Sequence, residues 1–518
     1  MRAVMAVDVG SGSARAGIFD AAGRCHGRAA AGFDTQRPVP DHAEHSFDGI
    51  WAAVCAATRG ALDRSGLPAT AVAGLAFDAT CSLAVFDAAG EPVTVSTAGE
   101  DRWNVVMWAD HRAIAEAEEI TASGHRALRH VGGVMSPEME LPKLLWLKRH
   151  LPGSWNRMAL ALDLADALTW RATGRVAVSV CTATCKWAFL NHEEVGWQED
   201  LLSGIGLEDF HRRTGQPDRT LPIGTPVGPL APAAAEALGL TTGCILGVGL
   251  IDAHAGGLGL LGGFEARELN RRLAMIAGTS TCHMAASPEP RFVPGLWGPY
   301  DGAMIPGTWL NEGGQSATGA LLDHLLDWHA EGRALGPDRH DQMAARITDL
   351  LAEHGPAMAE GLRVLPDFNG NRSPVADPAS RGVIEGLTLD SSFDSLARLY
   401  YAAAVGIALG TRHIVSVLNA HGYTIDTLHL AGGHVANPVL LRLYADATDC
   451  RVVVRDEVDS ILAGTACVAA TAAGLQPSLR DAARAASGGA REILPDPATQ
   501  AHFAAEFGHF LRLQGAAR

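Results

Sequence analysis

Residues 2–30 place apolar side chains in two runs broken by small polar turns, and the pattern predicts a strand, a Gly/Ser turn, a second strand, an Asp-Ala-Ala-Gly turn and a third strand. The pentapeptide Phe19-Asp20-Ala21-Ala22-Gly23 recurs as Phe86-Asp87-Ala88-Ala89-Gly90, each copy after an apolar run, so both predict hairpin turns. Between them, apolar residues at helical spacing predict a helix over Phe47 to Ser65, and Val72 to Phe77 reads as a short buried strand leading to Asp78-Ala79-Thr80-Cys81. Hairpins mixed with helices imply α/β layers.

The opening pattern returns late in the chain. Leu273 to Ala277 predicts a strand and Gly278-Thr279-Ser280-Thr281 a hydroxyl-rich turn, matching Ala6-Val7-Asp8-Val9 and Gly10-Ser11-Gly12-Ser13 except that only the first copy carries the acid. This implies an internal duplication, with residues 1–262 and 263–518 as two related halves. The second half continues with a helix over Leu396 to Leu418 and a strand over Thr427 to Ala431 that ends at Gly432-Gly433. A helix from Asn437 to Thr448, a strand from Arg451 to Val454, a helix from Ser460 to Ala473 and a partly helical tail from Leu479 to Arg518 follow.

Composition narrows the class. The chain has 518 residues, 47% of them hydrophobic and 19% charged, which predicts two to four folded domains and excludes collagen-like, low-complexity and mainly disordered chains. A net charge of −16 disfavours broad adhesion to nucleic acid or anionic membrane, so an anionic substrate must be gripped locally. Nine cysteines without a CxxC pair do not make a disulfide framework and fit a reducing cytoplasm. The N-terminus meets Asp8 and Gly10 before any signal-peptide core, and the apolar stretch Cys244 to Phe264 carries Asp252, His254 and many glycines, which argues against a targeting signal and a membrane span.

Several residues could carry chemistry. The turn after Asp8 can wrap phosphate oxygens with its N–H groups while Asp8 holds a hydrated magnesium ion, or it is an ordinary hairpin turn. Gly432-Gly433, followed by Asn437-Pro438, is either a place where a flat ring meets bare backbone or a tight strand-to-helix turn. Asp252 lies among apolar and glycine neighbours, where a carboxylate has a partner, a function or a helix-capping role. Only Lys143, Lys148 and Lys186 are lysine among 41 basic residues, so a persisting ammonium hints at a site that a guanidinium does not fit. Lys186 either contacts a ligand or packs at the surface on Trp187; Glu312 either caps a helix or binds hydroxyls. Gly257-Leu258-Gly259-Leu260-Leu261-Gly262 matches GxGxxG by letter, but no clear strand leads into it, and no lysine follows a glycine as a Walker loop requires. His192-Glu193-Glu194 lacks the second histidine of a zinc motif, and Cys181 and Cys185 read as packed thiols.

In order and spacing, Asp8 to Ser11, Trp108-Ala109-Asp110-His111-Arg112, Pro142 to Leu147, Gly249 to Gly256, Ala277 to Ser280 and Ala431 to Gly433 resemble the FGGY carbohydrate kinases, members of the actin/hexokinase-like superfamily. Phe77 to Cys81, Thr184-Cys185-Lys186-Trp187 and the string Pro366 to Pro374 resemble its pentulose kinase branch. The resemblance implies two duplicated ribonuclease H-like α/β domains with a cleft between them. It implies ATP and Mg2+ as cofactors and transfer of a phosphoryl group to the terminal hydroxyl of a ketopentose, D-ribulose foremost. L-ribulose, D-xylulose or a four- or five-carbon polyol is the alternative substrate, and a non-catalytic nucleotide switch of the actin or chaperone kind the alternative function. The expected roles are Asp252 as base; Ala79, Lys186, Asp252 and Glu312 around the sugar; and Asp8 at the metal. Gly10, Ser11, Ser13, Gly278 and Thr279 are expected at the phosphates, and Gly432, Gly433 and Asn437 at adenosine. The first turn departs from the family pattern in having Gly12 where a hydroxyl residue is usual. A homodimer is compatible with the sequence, and the expected location is cytoplasmic.

Overall fold

The computed structural model describes residues 1–455 and 459–516, so the last two residues of the expected C-terminal tail lie outside the described residues. In the first half, β1 (Ala3–Val9), β2 (Ser13–Asp20) and β3 (Cys25–Gly32) form an antiparallel meander. Helix α1 (Phe47–Ser65) follows, held at its start by Ser46, whose hydroxyl accepts from Gly49 N–H. Strand β4 (Val72–Ala79) then pairs parallel with β1. After α2 (Val180–Lys186) come β5 (Pro226–Pro229), β6 (Ile245–Gly247) and β7 (Leu250–Ile251), giving the order β5-β6-β4-β1-β2-β3 with β7 also on β4. Helix α3 (Asp252–Leu261) leaves β7 directly.

The second half repeats this plan. Strands β8 (Arg272–Ala277), β9 (Thr281–Ser287), β10 (Trp297–Asp301) and β11 (Trp309–Gln315) lead to α4 (Gly319–Trp328) and the long α5 (Phe393–Ala420). Then follow β12 (Thr427–Ala431), α6 (Pro438–Thr448), β13 (Arg451–Val454), α7 (Ser460–Ala472) and β14 (Arg491–Ile493). Its sheet order is β10-β11-β9-β8-β12-β13-β14. Three antiparallel strands followed by two parallel ones, β3-β2-β1-β4-β6, are therefore mirrored by β11-β9-β8-β12-β13.

The repeated pentapeptides close the same turn: the Asp20 carboxylate accepts from Ala22 and Arg24, and that of Asp87 from Ala89 and Glu91. Only the first turn continues into a full hairpin; after the second, the return is a single bridge between Phe86 and Pro92. Helix α5 is long and apolar enough to cross a membrane, but its apolar face is the core of the second half, where Leu396, Tyr400, Ile407, Ile414 and Leu418 are fully buried.

One packing feature is invisible in the duplication. Helix α3 follows the first sheet but packs on β8 and β12 of the second, whereas α7, late in the chain, packs on β1, β4 and β6 of the first. The two helices cross with their backbones nearly touching. A Cβ on Gly259 would lie 2.2 Å from the Ser460 carbonyl oxygen, and one on Gly464 would lie 1.9 Å from that of Ala255. Gly259 of the GxGxxG look-alike thus serves a helix crossing, and the two halves are laced together at that point.

Candidate active site

The site begins where the parallel strands end, the usual place for ligands in open α/β sheets. In register, Asp8 of β1 lies beside Asp78 of β4, and Leu250 lies on the other side of Asp78. Ala79 lies between Val9 and Ile251, so the next residue, Asp252, opens α3 at the same edge. Asp252 is partly buried and its Oδ1 accepts from Ala253 N–H at 2.7 Å. It is the first residue of α3 and not its cap, which is Ile251 with no side-chain capping bond, so the helix-capping reading is corrected. Burial, aided by the charge of Asp8, pushes its carboxyl up to about 6, enough to keep it mostly ionised at neutral pH and still basic.

Asp8 is 1% exposed, and burial raises its carboxyl despite Arg15, whose Nε donates to it at 2.6 Å. Asp78 is fully buried and shifted upward by burial and by Asp8; its Oδ2 accepts from Thr465 of α7, while its Oδ1 has no hydrogen-bond partner. This concentration of under-compensated carboxylate oxygen fits a hydrated divalent cation held by one carboxylate and by substrate oxygens. Among the described residues, no three His, Cys, Asp or Glu side chains form an all-protein metal cage.

The two phosphate-turn candidates close alike. Gly10 N–H bonds Ser13 O and Gly278 N–H bonds Ser280 O, so these two N–H groups are used within the turns. Gly12 and Thr279, both exposed at the turn tips, keep theirs unpaired. The Ser11 hydroxyl accepts from Trp108 Nε1 at 3.0 Å, and Ser13 starts β2. The segment around Trp108 is pinned by a buried knot in which Arg112 pairs with Asp110 at 2.7 Å and Glu44 at 2.9 Å.

Beyond Gly278, a hollow of about 840 Å³ is lined by Gly433, His434, Asn437, Tyr400, His340 and Asp323, among others. Gly432 has φ 94°, and a Cβ there would meet the Ala277 carbonyl oxygen at 2.4 Å, so the bare backbone is a steric requirement. Asn437 caps α6, accepting from Val439 and Leu440 N–H, and donates to Tyr400 Oη. His434, absent from the sequence expectations, accepts from Tyr444 Oη at 3.0 Å and donates to Gly278 O at 3.1 Å, tying the hollow to the turn. Between the hollow and Asp8 lies a second opening of about 900 Å³ bordered by Arg15, Arg28 and Arg455. These arginines were also absent from the sequence expectations, because they come from separate segments of the chain. Arg15 and Arg28 now pair with Asp459, at 3.3 and 2.7 Å.

On the other side of Asp252 lies a buried charged chamber. Lys186 ends α2 and is 4% exposed; it stacks on Trp297 at 4.6 Å, not on Trp187, which corrects the surface-lysine reading. Lys143 pairs with Glu140, and Lys148 with Glu208 and Asp209, but Lys186 has no oxygen partner among the described residues. Burial opposes its charge, yet Cys81, Glu312 and Glu138 outweigh burial and hold it firmly protonated. Glu312 sits inside β11 directly opposite Trp297, which removes the helix-cap alternative. Arg372, from the Pro366 to Pro374 string, lies 3.6 Å from Glu138 and 5.8 Å from the same Trp297 ring. Cys181 and Cys185, read as simple packed thiols, instead flank His254, at 3.1 and 3.9 Å from Nδ1.

The geometry thus sets an arginine-lined corridor and a polar chamber on either side of one carboxylate. The N-terminal domain model of the FGGY family of carbohydrate kinases matches residues 3–259, and the C-terminal domain model of that family matches residues 273–473. The chain belongs to the FGGY family of carbohydrate kinases. An FGGY carbohydrate kinase domain-containing protein of Xenopus laevis is 42% identical over 531 residues, covering 98% of this chain and 95% of the frog protein. The D-ribulokinase of Saccharomyces cerevisiae is 37% identical over 510 residues, 90% of this chain and 71% of the yeast protein. The crystal structure of a xylulose kinase from Rhodospirillum rubrum shares the fold, with a TM-score of 0.81, 22% identity and 99% coverage of both chains. This FGGY protein is therefore a carbohydrate kinase, and kinases of this family use ATP.

Proposed function

We propose that the protein transfers the γ-phosphoryl group of ATP to the terminal hydroxyl of D-ribulose, giving D-ribulose 5-phosphate and ADP. The observation that carries this reading is the position of Asp252 between the arginine-lined corridor and the chamber that holds the unpartnered Lys186 ammonium. The similarity to a yeast D-ribulokinase and the Pro366 to Pro374 string favour D-ribulose over L-ribulose, D-xylulose or a polyol.

In this reading Asp252 accepts the proton of the sugar hydroxyl as its oxygen attacks the γ-phosphorus, a role worth about 10²–10⁴ in rate. Lys186 and Glu312 orient the ketose, with Ala79 giving it room at the strand edge. Gly12 and Thr279 offer backbone N–H groups to the phosphates, beside Gly10, Ser11, Ser13 and Gly278, and Arg15, Arg28 and Arg455 neutralise the rest of the triphosphate. Gly432, Gly433 and Asn437 border adenosine. Asp8 would hold a hydrated Mg2+, which supplies charge neutralisation at the phosphate oxygens. Residues 1–262 carry the base and most of the sugar chamber, and residues 263–518 the adenosine site, with Glu312 crossing from the second half. All nine cysteines are free, in keeping with a cytoplasmic location.

A coupled ADP-release assay across D-ribulose, L-ribulose, D-xylulose, ribitol, erythritol and glycerol tests the substrate. The highest kcat/KM is expected with D-ribulose; a preference for any other member replaces it.

A further inference from the structure

Two residues beyond Asp252, His254 is engaged through both ring nitrogens while only 1% exposed. Its Nε2 lies 3.1 Å from Glu312 Oε2, and its Nδ1 faces the sulfurs of Cys181 and Cys185. The two cysteines are four residues apart on α2, which puts both on one helix face, and Lys186 is the next residue. Cys181 Sγ also receives the N–H of Ile251 at 3.4 Å, the residue just before Asp252. One imidazole therefore joins α2 and α3 of the first half to β11 of the second.

We infer that His254 is a positioning residue for the acceptor sugar: clamped by Cys181 and Cys185, it holds the Glu312 carboxylate in place, so that Glu312 Oε1 is presented to a sugar hydroxyl. This deepens the sugar-site reading above and rests on it. Oε2 is taken by His254, and among the described residues Oε1 has no hydrogen-bond partner. A carboxylate this deeply buried stays ionised only with a charge-assisted donor. Although burial opposes both charges, Cys185 and Glu312 hold the imidazole up at about 10, and His254 with Lys186 holds Glu312 below its usual range. The positioning acts across the interface between the halves, so losing it loosens the chamber without touching the nucleotide hollow.

The test compares His254→Leu, His254→Gln, Glu312→Gln and the His254→Leu/Glu312→Gln double variant, with the KM of each substrate measured at saturation of the other. His254→Leu is expected to raise the D-ribulose KM about tenfold or more, with the ATP KM within about twofold. His254→Gln, which keeps an N–H aimed at Glu312, should recover most of that loss. In the Glu312→Gln background, His254→Leu should add less than about twofold, because the two residues act as one unit. Equal rises in both KM values, a glutamine variant as poor as leucine, or fully additive effects would each overturn the inference. If His254→Leu does not fold, His254→Asn, whose amide is too short to reach Glu312, replaces it in the same comparison. A wild-type enzyme that phosphorylates no pentulose overturns the functional reading itself, whereas an active enzyme indifferent to His254→Leu overturns only the positioning role.

Discussion

The two sheets share one strand order but end in opposite chemistry. At the penultimate position of the first strand, Asp8 lies beside Asp78, whereas the matching position of the second sheet pairs Ile276 with Ala431, and bare Gly432 follows. One copy offers buried carboxylates, the other open backbone. Two similar scaffolds thus differ at a few strand ends, and in the proposed reaction one would be the reacting edge and the other the nucleotide-facing edge. The exchange of α3 and α7 holds the two edges face to face.

Four substitutions or titrations put this contrast at risk. The largest effect is expected from Asp252→Asn, which should lower kcat by about 10²–10⁴ without moving the thermal midpoint. A loss below tenfold would remove the reacting role from the carboxylate edge, and sugar-stimulated ADP release surviving the change would favour a nucleotide switch. On the backbone edge, Gly432→Val forces a Cβ into the Ala277 carbonyl at a positive φ. It should cost about 1–3 kcal/mol in denaturant unfolding and raise the ATP KM about tenfold while sparing the sugar KM.

Lys186→Ala should raise the sugar KM about tenfold and leave the ATP KM nearly unchanged; equal damage to both would take Lys186 out of the sugar chamber. The smallest effect is a shift in pH profile. The proposed base Asp252 would work in its ionised form, and its carboxyl is raised from 3.8 to about 6. Accordingly kcat/KM should fall about tenfold per pH unit below about pH 6, and a limb that begins only near pH 4 would show that the carboxylate edge is not buried in the working enzyme.

The sequence made the duplication legible because its signal is local: an apolar run, a Gly-rich turn and a returning strand read the same way twice. It could not show which sheet a helix covers, since α3 and α7 are both apolar and rich in small residues and their partners are chosen by the backbone crossing at Gly259 and Gly464. In the site, Asp8 and Asp252 stood out as acids among apolar neighbours. Trp297, Arg28, Arg455 and His434 did not, because nothing near them in sequence names their partners. His254 and Arg372 lay inside segments already singled out, and an acid two residues from a histidine in a buried helix was a signal for the first.

In the proposed reaction a pentulose and the triphosphate meet at Asp252 between the two edges. A crystal structure of the Asp252→Asn enzyme with D-ribulose and a non-hydrolysable ATP analogue tests it most directly. The terminal sugar oxygen is expected within hydrogen-bond reach of the residue 252 amide, about 2.6–3.2 Å, with the γ-phosphate between the Gly12 and Thr279 turns. A sugar bound away from residue 252, or a triphosphate resting on only one of the two turns, would contradict it.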